Sequence, residues 1–430
     1  MIKTWLYPGP EQQAALCTRS ALAQNDNTQT VQDILNAVRQ RGDEAVAEYT
    51  RAFDKTTLNN FSVTPEEWEQ CTAQVQPGLQ QAIGMAIKNI ETFHNSQCLP
   101  EPVIETTGGV LCWRKNVAVE KVGLYIPGGT APLFSTLLML GIPAKIAGCA
   151  EIVLCTPANR NGLVNPVILY AAKTIGISRV YKIGGAQAIA ALAFGTETIP
   201  RVNKIFGPGN QYVTKAKELV QQYGVAIDMP AGPSEVLVIA DETCVPAFVA
   251  ADLLAQAEHG TDSQVVLLTN SEQVAQQVET EITKQLQQLP RKEMAAGALQ
   301  HSFIAVLPQI EDCLHFSNRY APEHLIICTR QPGIDAGQVV NAGSVFLGNY
   351  SCESAGDYAT GTNHTLPTNG FAKSYSGVSL DSFFKKITFQ QVSAEGIKNL
   401  GPAVEIMAEA EGLTAHKNAV SIRLNNLSNE

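Results

Sequence analysis

The fold is decided at residues 121–129, KVGLYIPGG, where a short β-rich run meets a glycine turn. A helical stretch follows over residues 133–140, so the local order is strand, turn and helix. Three more β-rich runs lead into helical segments further along the chain: residues 151–155, 180–183 and 204–206. This alternation predicts a parallel sheet with helices on both faces.

A second series of strands is predicted after the turn at residues 231–234. Its β-rich runs, again separated by helical stretches, are residues 236–239, 265–268, 303–307, 325–328 and 344–347. The chain contains no exact internal repeat in its sequence. The order of predicted strands and helices nevertheless indicates the same architecture twice. The predicted fold class is α/β, with two doubly wound, incomplete Rossmann-like domains built on parallel sheets.

The two ends of the chain depart from this alternation. The first residues show weak periodicity and are predicted to form a short N-terminal arm. Past about Leu380 the strands are expected to stop, and a small helical tail follows in which Pro402 begins a helix and Gly412 ends it. The tail is too short to bury a core alone, so it must pack on something else. The expected domains are residues 1–22, 23–124 together with 234–378, 125–233, and 379–430.

Helices are also predicted between the arm and the first strand. One has a one-sided apolar pattern, with Thr30 and Asp33 as its capping box. Another is expected to run without interruption over about residues 65–94.

Composition excludes several kinds of partner. The formal charge is −10 with no basic run, which argues against nucleic acid and anionic membranes. Residues 122–144 carry no charge, but their prolines and glycines favour a strand, a turn and a helix over a membrane span. The ten cysteines form no Cys-x-x-Cys pair, and the first residues lack a signal-peptide core, so a reducing cytoplasm is expected.

A metal site is suggested by Gln256 and His259, which end a predicted helix. Residues three apart share a helix face, so both side chains can point at one ion. A surface helix end, where a histidine interacts with the helix dipole, explains the pair equally well. Glutamine is also an uncommon ligand.

A polar stretch at residues 354–364 contains Asp357 and His364 and has no hydrophobic period. A loop of this length without secondary structure is more often functional or disordered than structural. Its glycines and threonines, with few charges, argue against disorder. We therefore expect a functional loop here.

Two adjacent proton carriers stand in the tetrad at residues 321–324, APEH, where Glu323 precedes His324. A carboxylate and an imidazole side by side can serve two separate proton transfers. The competing interpretation is a helix C-terminus with a dipole-paired histidine. Glu411 and His416 lie in the tail, where a solvated helix end explains both on sequence alone.

Glycine turns at residues 128–129, 184–185 and 207–209 each follow a predicted strand. Backbone N–H groups at such turns can hold phosphate oxygens. A full G-x-G-x-x-G motif is absent, because Tyr212 replaces the third glycine, and there is no P-loop. Turn formation alone explains any one of these glycine pairs.

Taken together, these motifs resemble the histidinol dehydrogenase family, whose members depend on zinc and NAD. The resemblance extends over nearly the whole chain. It is carried by GLYIPGG at 123–129, GGAQ at 184–187, FGPGN at 206–210, IDMPAGPSE at 227–235, QAEH at 256–259, APEH at 321–324, AGDYATGTNH at 355–364 and LTAHKN at 413–418.

The resemblance implies a role for each matching residue. It implies oxidation of L-histidinol to L-histidine through L-histidinal, with Glu323 and His324 as catalytic groups. One Zn²⁺ per subunit would be held by Gln256, His259, Asp357 and His416. The substrate would contact Ser234, Gln256, His259, Glu323, His324, Asp357, His364, Glu411 and His416. NAD would contact Tyr125, Gln187 and Asn210 in domain 125–233.

The resemblance also implies a homodimer in which the tail of one subunit completes the active site of its partner. This would explain why a tail that cannot fold alone carries Glu411 and His416. The residues alone leave three alternative functions open. They are a related zinc dehydrogenase acting on another polar alcohol, a zinc hydrolase using Glu323 as its base, and a non-catalytic binding protein.

Overall fold

The structure is a computed structural model that describes residues 2–19, 27–128 and 132–428. It contains two compact units. The first comprises residues 1–95 and 120–382, and the second comprises residues 96–119 and 383–430.

The described residues form fourteen strands and seventeen α-helices. Strands β1 to β14 are, in order, Lys3–Leu6, Ile104–Thr107, Val110–Ala118, Lys121–Tyr125, Glu151–Cys155, Arg179–Tyr181, Lys204–Phe206, Ala226–Ile227, Glu235–Ala240, Gln264–Thr269, Phe303–Val306, His324–Cys328, Ser344–Leu347 and Phe384–Val392. Helices α1 to α17 are Pro10–Cys17, Thr28–Arg41, Asp43–Tyr49, Pro65–Gln70, Pro77–Asn95, Phe134–Ala147, Pro166–Thr174, Gly185–Phe194, Gln211–Val220, Pro246–Ala257, Glu272–Leu286, Lys292–Leu299, Ile310–Tyr320, Pro332–Asp335, Glu353–Tyr358, Ala394–Ala410 and Thr414–Leu427.

A five-stranded parallel sheet in the first unit has the order β6-β5-β4-β7-β8. Its four longer strands are those predicted from the first β-rich series. The alanine-rich helix α8 is buried almost throughout, because small side chains let it pack closely on the sheet. The first predicted parallel sheet is therefore confirmed.

A six-stranded parallel sheet in the same unit has the order β1-β11-β10-β9-β12-β13. Strands β9 and β10 are buried along their whole length, as expected for parallel strands covered on both faces. Residues 3–6, expected in a separate arm, instead form the edge strand β1 and pair with β11. Four half-exposed residues are too few to show a period. The predicted arm boundary at residue 22 lies outside the described residues.

None of the three strands of the second unit, β2, β3 and β14, was predicted from the sequence. Strand β14 pairs antiparallel with β3, and β2 completes a three-stranded sheet. The expectation that strands stop past Leu380 is therefore wrong. Strand β14 carries many polar side chains, so it lacks the apolar run of a buried strand. Its partner β3 is far away in sequence, and residues 96–119 consequently group with the tail.

The rest of the tail is helical, as predicted. Helix α16 begins after Ser393, whose side chain accepts a hydrogen bond from the Gly396 N–H. Pro402 therefore lies inside α16 and does not begin it. Gly412 follows the end of α16 with φ +72°, as expected for a glycine that ends a helix.

Two predictions for the early helices are corrected. The expected helix over residues 65–94 is divided into α4 and α5, because Pro77 begins a new helix after a turn. Helix α2 begins at Thr28, so Thr30 and Asp33 lie inside its first turns and are not a capping box.

Residues 122–144 contain most of β4 and the first part of α6, so the predicted strand and helix are present. Among the described residues, no helix has the length and apolar character needed to cross a bilayer.

Candidate active site

A cluster of possible metal ligands lies where α10 ends and α15 begins. The ligand atoms of His259, Glu353 and Asp357 all lie within 4.8 Å of one another. Glu353 and Asp357 are four residues apart on α15 and therefore share one helix face. The stretch at residues 354–364, expected to lack secondary structure, thus begins within a short helix.

Gln256 joins this cluster through Glu353. Oriented so that its amide nitrogen donates, Gln256 lies 2.5 Å and 3.2 Å from the two carboxylate oxygens of Glu353. The amide orientation is assigned from these contacts, since the opposite one would set oxygen against oxygen. Hydrogen bonding to Glu353 fixes the orientation of the Gln256 amide beside the cluster. An amide oxygen, an imidazole and carboxylates form the mixed nitrogen and oxygen set that suits zinc with room for a substrate.

Glu323 and His324 lie at the amino end of β12, beside this cluster. Helix α13 ends at Tyr320, and the φ of +54° at the following Ala321 turns the chain so that β12 begins three residues later. His324 Nε2 is 3.6 Å from Asp357 Oδ1. This buried nitrogen has no hydrogen-bond partner within the described parts of the chain, so it is available to a substrate.

Burial and neighbouring charges shift the ionisation of this group of side chains. Burial raises the pKa of Glu323 to about 7 and that of Glu353 to about 8. Burial alone would lower the pKa of His324, but the carboxylates around it, led by Glu323, raise it to about 10. Burial alone would raise the pKa of Asp357. The interaction of its carboxylate with the His324 imidazole is stronger than this effect, so the pKa of Asp357 is lowered. A concentration of perturbed acids and imidazoles in one place is typical of functional sites.

Other predicted substrate residues surround the cluster. Ser234 immediately precedes β9, at the same edge of the sheet as His324. His364 is half-buried, with Nδ1 2.9 Å from the Asp357 carbonyl oxygen and Nε2 3.0 Å from Thr136 Oγ1. The first unit thus brings Ser234, Gln256, His259, Glu323, His324, Asp357 and His364 to one region.

Glu411 and His416 belong to the second unit. Glu411 follows the last residue of α16, and His416 lies in the first turn of α17. Both side chains are exposed.

The three predicted cofactor residues, Tyr125, Gln187 and Asn210, line one cavity of about 840 Å³. It lies where β4 ends and α8 and α9 begin, at the carboxyl edge of the five-stranded sheet, which is the usual ligand position in such folds. The Gln187 Oε1 atom is buried without a partner among the described residues, so a ligand here could satisfy it.

The glycine turns at this cavity already hold side chains of the protein. The Gly185 N–H donates to Tyr125 Oη. The Gly207 N–H likewise donates to Asp228 Oδ2. These N–H groups are not free for phosphate, so turn formation is the better explanation of the glycines. Gly129 lies outside the described residues.

Three residues near these sites were not identified from sequence. Glu353 would have been found by helical spacing from Asp357, had residues 353–358 been predicted as a helix. Asp54 lines the cavity, its Oδ2 atom is 3.5 Å from Gln187 Nε2, and burial raises its pKa to about 6. Neither Asp54 nor Thr136 had a sequence signal, because each reaches its site only through the fold.

Comparison with known proteins gives one consistent family. The family model described as histidinol dehydrogenase matches residues 17–424. A histidinol dehydrogenase of Bacteroides thetaiotaomicron is 57% identical, covering 99% of this chain and 100% of that protein. That of Salmonella typhimurium is 52% identical, covering 99% and 98%. The crystal structure of histidinol dehydrogenase from Elizabethkingia anophelis superposes with a TM-score of 0.98 at 56% identity, covering 99% of each chain.

Fold, site and comparisons together define a zinc- and NAD-dependent oxidoreductase. The chain belongs to the histidinol dehydrogenase family and oxidises histidinol to histidine in histidine biosynthesis. The predicted fold class, activity and cofactors are thereby confirmed. The hydrolase and the non-catalytic alternatives are set aside.

Proposed function

We propose that one site carries out both oxidations, of L-histidinol to L-histidinal and of L-histidinal to L-histidine, with Glu323 and His324 as separate proton carriers. The observation that carries this proposal is the buried His324 Nε2, which makes no hydrogen bond among the described residues and lies 3.6 Å from Asp357 Oδ1; His324 also follows a buried carboxylate in the sequence. Two groups in fixed places can serve two successive steps without movement of the substrate.

In the first step the unprotonated form of His324, a minority at neutral pH because its pKa is raised, accepts the proton of the substrate hydroxyl as a hydride leaves the same carbon. The C–H bond breaks and the carbonyl of L-histidinal forms. In the second step Glu323 accepts a proton from water, and the resulting hydroxide adds to the aldehyde carbon. His324 returns the proton from the first step to the aldehyde oxygen, which gives the hydrate. His324 then accepts the hydroxyl proton of this hydrate as a second hydride leaves, which forms the carboxylic acid.

In this proposal zinc binds the substrate and NAD accepts the hydrides, while the protein side chains transfer the protons. When bound, zinc anchors the imidazole and amine of the substrate, and two molecules of NAD in turn accept the hydrides. We propose Gln256, His259, Asp357 and His416 as the zinc ligands. Ser234, His364 and Glu411 contact the substrate together with these ligands and the two proton carriers. Tyr125, Gln187 and Asn210 contact NAD in the 840 Å³ cavity.

We propose that His416 and Glu411 reach the site of a second copy in a homodimer. Two observations support this proposal: both side chains are exposed, and both belong to a different compact unit from the other proposed ligands. A cytoplasmic location is proposed as well, because all ten cysteines are free thiols.

The ratio of products tests the proposed sequence of steps. Wild-type enzyme given limiting L-histidinol should form two NADH and one L-histidine per substrate molecule. Removal of metal with a chelator should abolish turnover, and added zinc should restore it. One NADH per substrate, with L-histidinal as the final product, would contradict a single site for both oxidations.

A further inference from the structure

Glu235, the first residue of β9, contacts both proposed proton carriers through its main chain. Its N–H donates to Glu323 Oε2 at 2.8 Å, and its carbonyl oxygen is 3.1 Å from His324 Nδ1. The parallel pairing of β9 with β12 brings these groups together. A displacement of this one residue would therefore move the carboxylate and the imidazole at once.

The side chain of Glu235 is in turn held by Arg19. Arg19 Nε donates to Glu235 Oε1 and Arg19 Nη2 to Oε2, both at 2.7 Å. Only 2% of the Glu235 side chain and 14% of the Arg19 side chain are exposed. A planar guanidinium matches a carboxylate with two parallel hydrogen bonds, so this pair fixes orientation as well as distance.

The other donors of Arg19 reach the turn that precedes Glu323. Nη1 donates to the Tyr320 carbonyl at 2.6 Å, and Nη2 lies 3.3 Å from the Ala321 carbonyl. The guanidinium carbon is 3.8 Å from the centre of the Tyr320 ring. Arg19 thus joins the start of β9 to the end of α13. Glu323 and His324 follow the end of α13 and are hydrogen-bonded to the start of β9.

We propose that Arg19 is a positioning residue for the oxidation, holding Glu323 and His324 in place through Glu235 and the 320–321 turn. Arg19 touches neither reacting group, so it acts through the residues that it holds. This inference rests on the proposed roles of Glu323 and His324. A buried ion pair is a weak source of net stability, which leaves orientation as its main contribution.

Steady-state kinetics of Arg19→Lys and Arg19→Ala, per folded and zinc-loaded chain, test this inference. We expect kcat to fall about 10- to 100-fold in both variants, since lysine cannot bind both oxygens in the plane of the carboxylate. The KM for L-histidinol and the zinc content should stay at wild-type values. Guanidinium ion at millimolar concentration should restore part of the kcat of Arg19→Ala but not that of Arg19→Lys.

Arg319→Ala is the matched control. Arg319 lies on α13, donates to Gln13 near the N-terminus and packs on the Phe316 ring, but is not hydrogen-bonded to Glu235 among the described residues. It should keep the wild-type kcat, which separates positioning from general attachment of the N-terminal segment. A wild-type kcat in both Arg19 variants, or an equal loss in Arg319→Ala, would overturn the inference.

Glu235→Gln provides the test if Arg19→Ala does not fold. This variant keeps the main-chain contacts of residue 235 but weakens the ion pair. Its kcat should fall like that of Arg19→Lys, and the double variant should be no worse than the worse single variant. Losses that multiply in the double variant would overturn the inference. If Glu323→Gln and His324→Asn leave both oxidations intact, the proposed function itself fails, whatever the Arg19 variants show.

Discussion

At the scale of single residues, Glu323 and His324 are neighbours in sequence but differ in their surroundings. Glu323 is held by a main-chain N–H, whereas His324 has one nitrogen near a carbonyl and the other unpartnered among the described residues. The pair itself was predictable from sequence, because a carboxylate beside an imidazole is conspicuous. Their shared support by Glu235 was not, since 88 residues separate Glu235 from Glu323.

Substitution of the two proton carriers should separate the two oxidations. Glu323→Gln should slow L-histidinal oxidation about 10²- to 10⁴-fold while the first step changes little. His324→Asn should slow both steps. Single-turnover NADH formation from L-histidinol and from L-histidinal measures each step. His315→Asn is the control, because His315 is exposed on α13. Equal effects of Glu323→Gln on the two steps would rule out the division of roles.

Glu353 should matter for metal binding although no role was predicted for it. Glu353→Ala removes the acceptor that orients Gln256 and a carboxylate from the ligand cluster. Zinc affinity should fall about 10- to 100-fold, as for other partners of metal ligands. Competition with a chelator measures the affinity, with the exposed Glu242→Ala as control. Unchanged zinc affinity in Glu353→Ala would show that the Gln256 contact has no part in binding.

At the scale of elements, the functional residues of the two parallel sheets lie at opposite ends of their strands. The cofactor cavity lies at the carboxyl edge of the five-stranded sheet, whereas Ser234, Glu323 and His324 lie at the amino edge of the six-stranded sheet. The buried strands were predictable because each is a nearly continuous apolar run bounded by turns. Strands β1, β2, β3, β8 and β14 were missed, because short or partly exposed strands with polar side chains carry little periodicity. Their pairing is decided by distant segments.

The turn after β7 should not tolerate a side chain. Gly207 has φ +125°, and a Cβ atom there would collide with the Tyr125 carbonyl oxygen. Gly207→Ala should lower the free energy of unfolding by more than about 2 kcal/mol and weaken NAD binding. Urea unfolding and NAD titration measure the two effects.

The control for this substitution is Gly84→Ala. Gly84 lies inside α5 with open space around it, so alanine should leave NAD binding unchanged and raise stability by up to about 1 kcal/mol. A Gly207→Ala protein as stable as Gly84→Ala would show that the turn can relax.

At the scale of the whole molecule, the proposed ligands come from two compact units. Residues 256, 259 and 357 gather in the first unit, and His416 is exposed in the second. Their grouping in one site was predicted only through the family resemblance, because no spacing rule connects ligands separated by so many residues. Sequence alone left Glu411 and His416 as solvated helix ends.

Shared sites can be tested by mixing chains that are each defective in L-histidinal oxidation. A mixed dimer of His416→Ala and Glu323→Gln chains should regain about half of the wild-type rate of L-histidinal oxidation, since one of its two sites is intact. A mixed dimer of Glu323→Gln and His324→Asn should regain none of this rate, because both defects lie in the same unit. If neither purified mixed dimer recovers activity, each site is built from a single chain.

The proposed metal site is tested by zinc binding itself, measured as stoichiometry and dissociation constant. Wild-type enzyme should bind one Zn²⁺ per chain. Asp357→Asn and His416→Ala should each raise the zinc dissociation constant at least about tenfold, while His315→Ala leaves it unchanged. Wild-type zinc affinity in both Asp357→Asn and His416→Ala would contradict the convergence of these distant side chains on one cation.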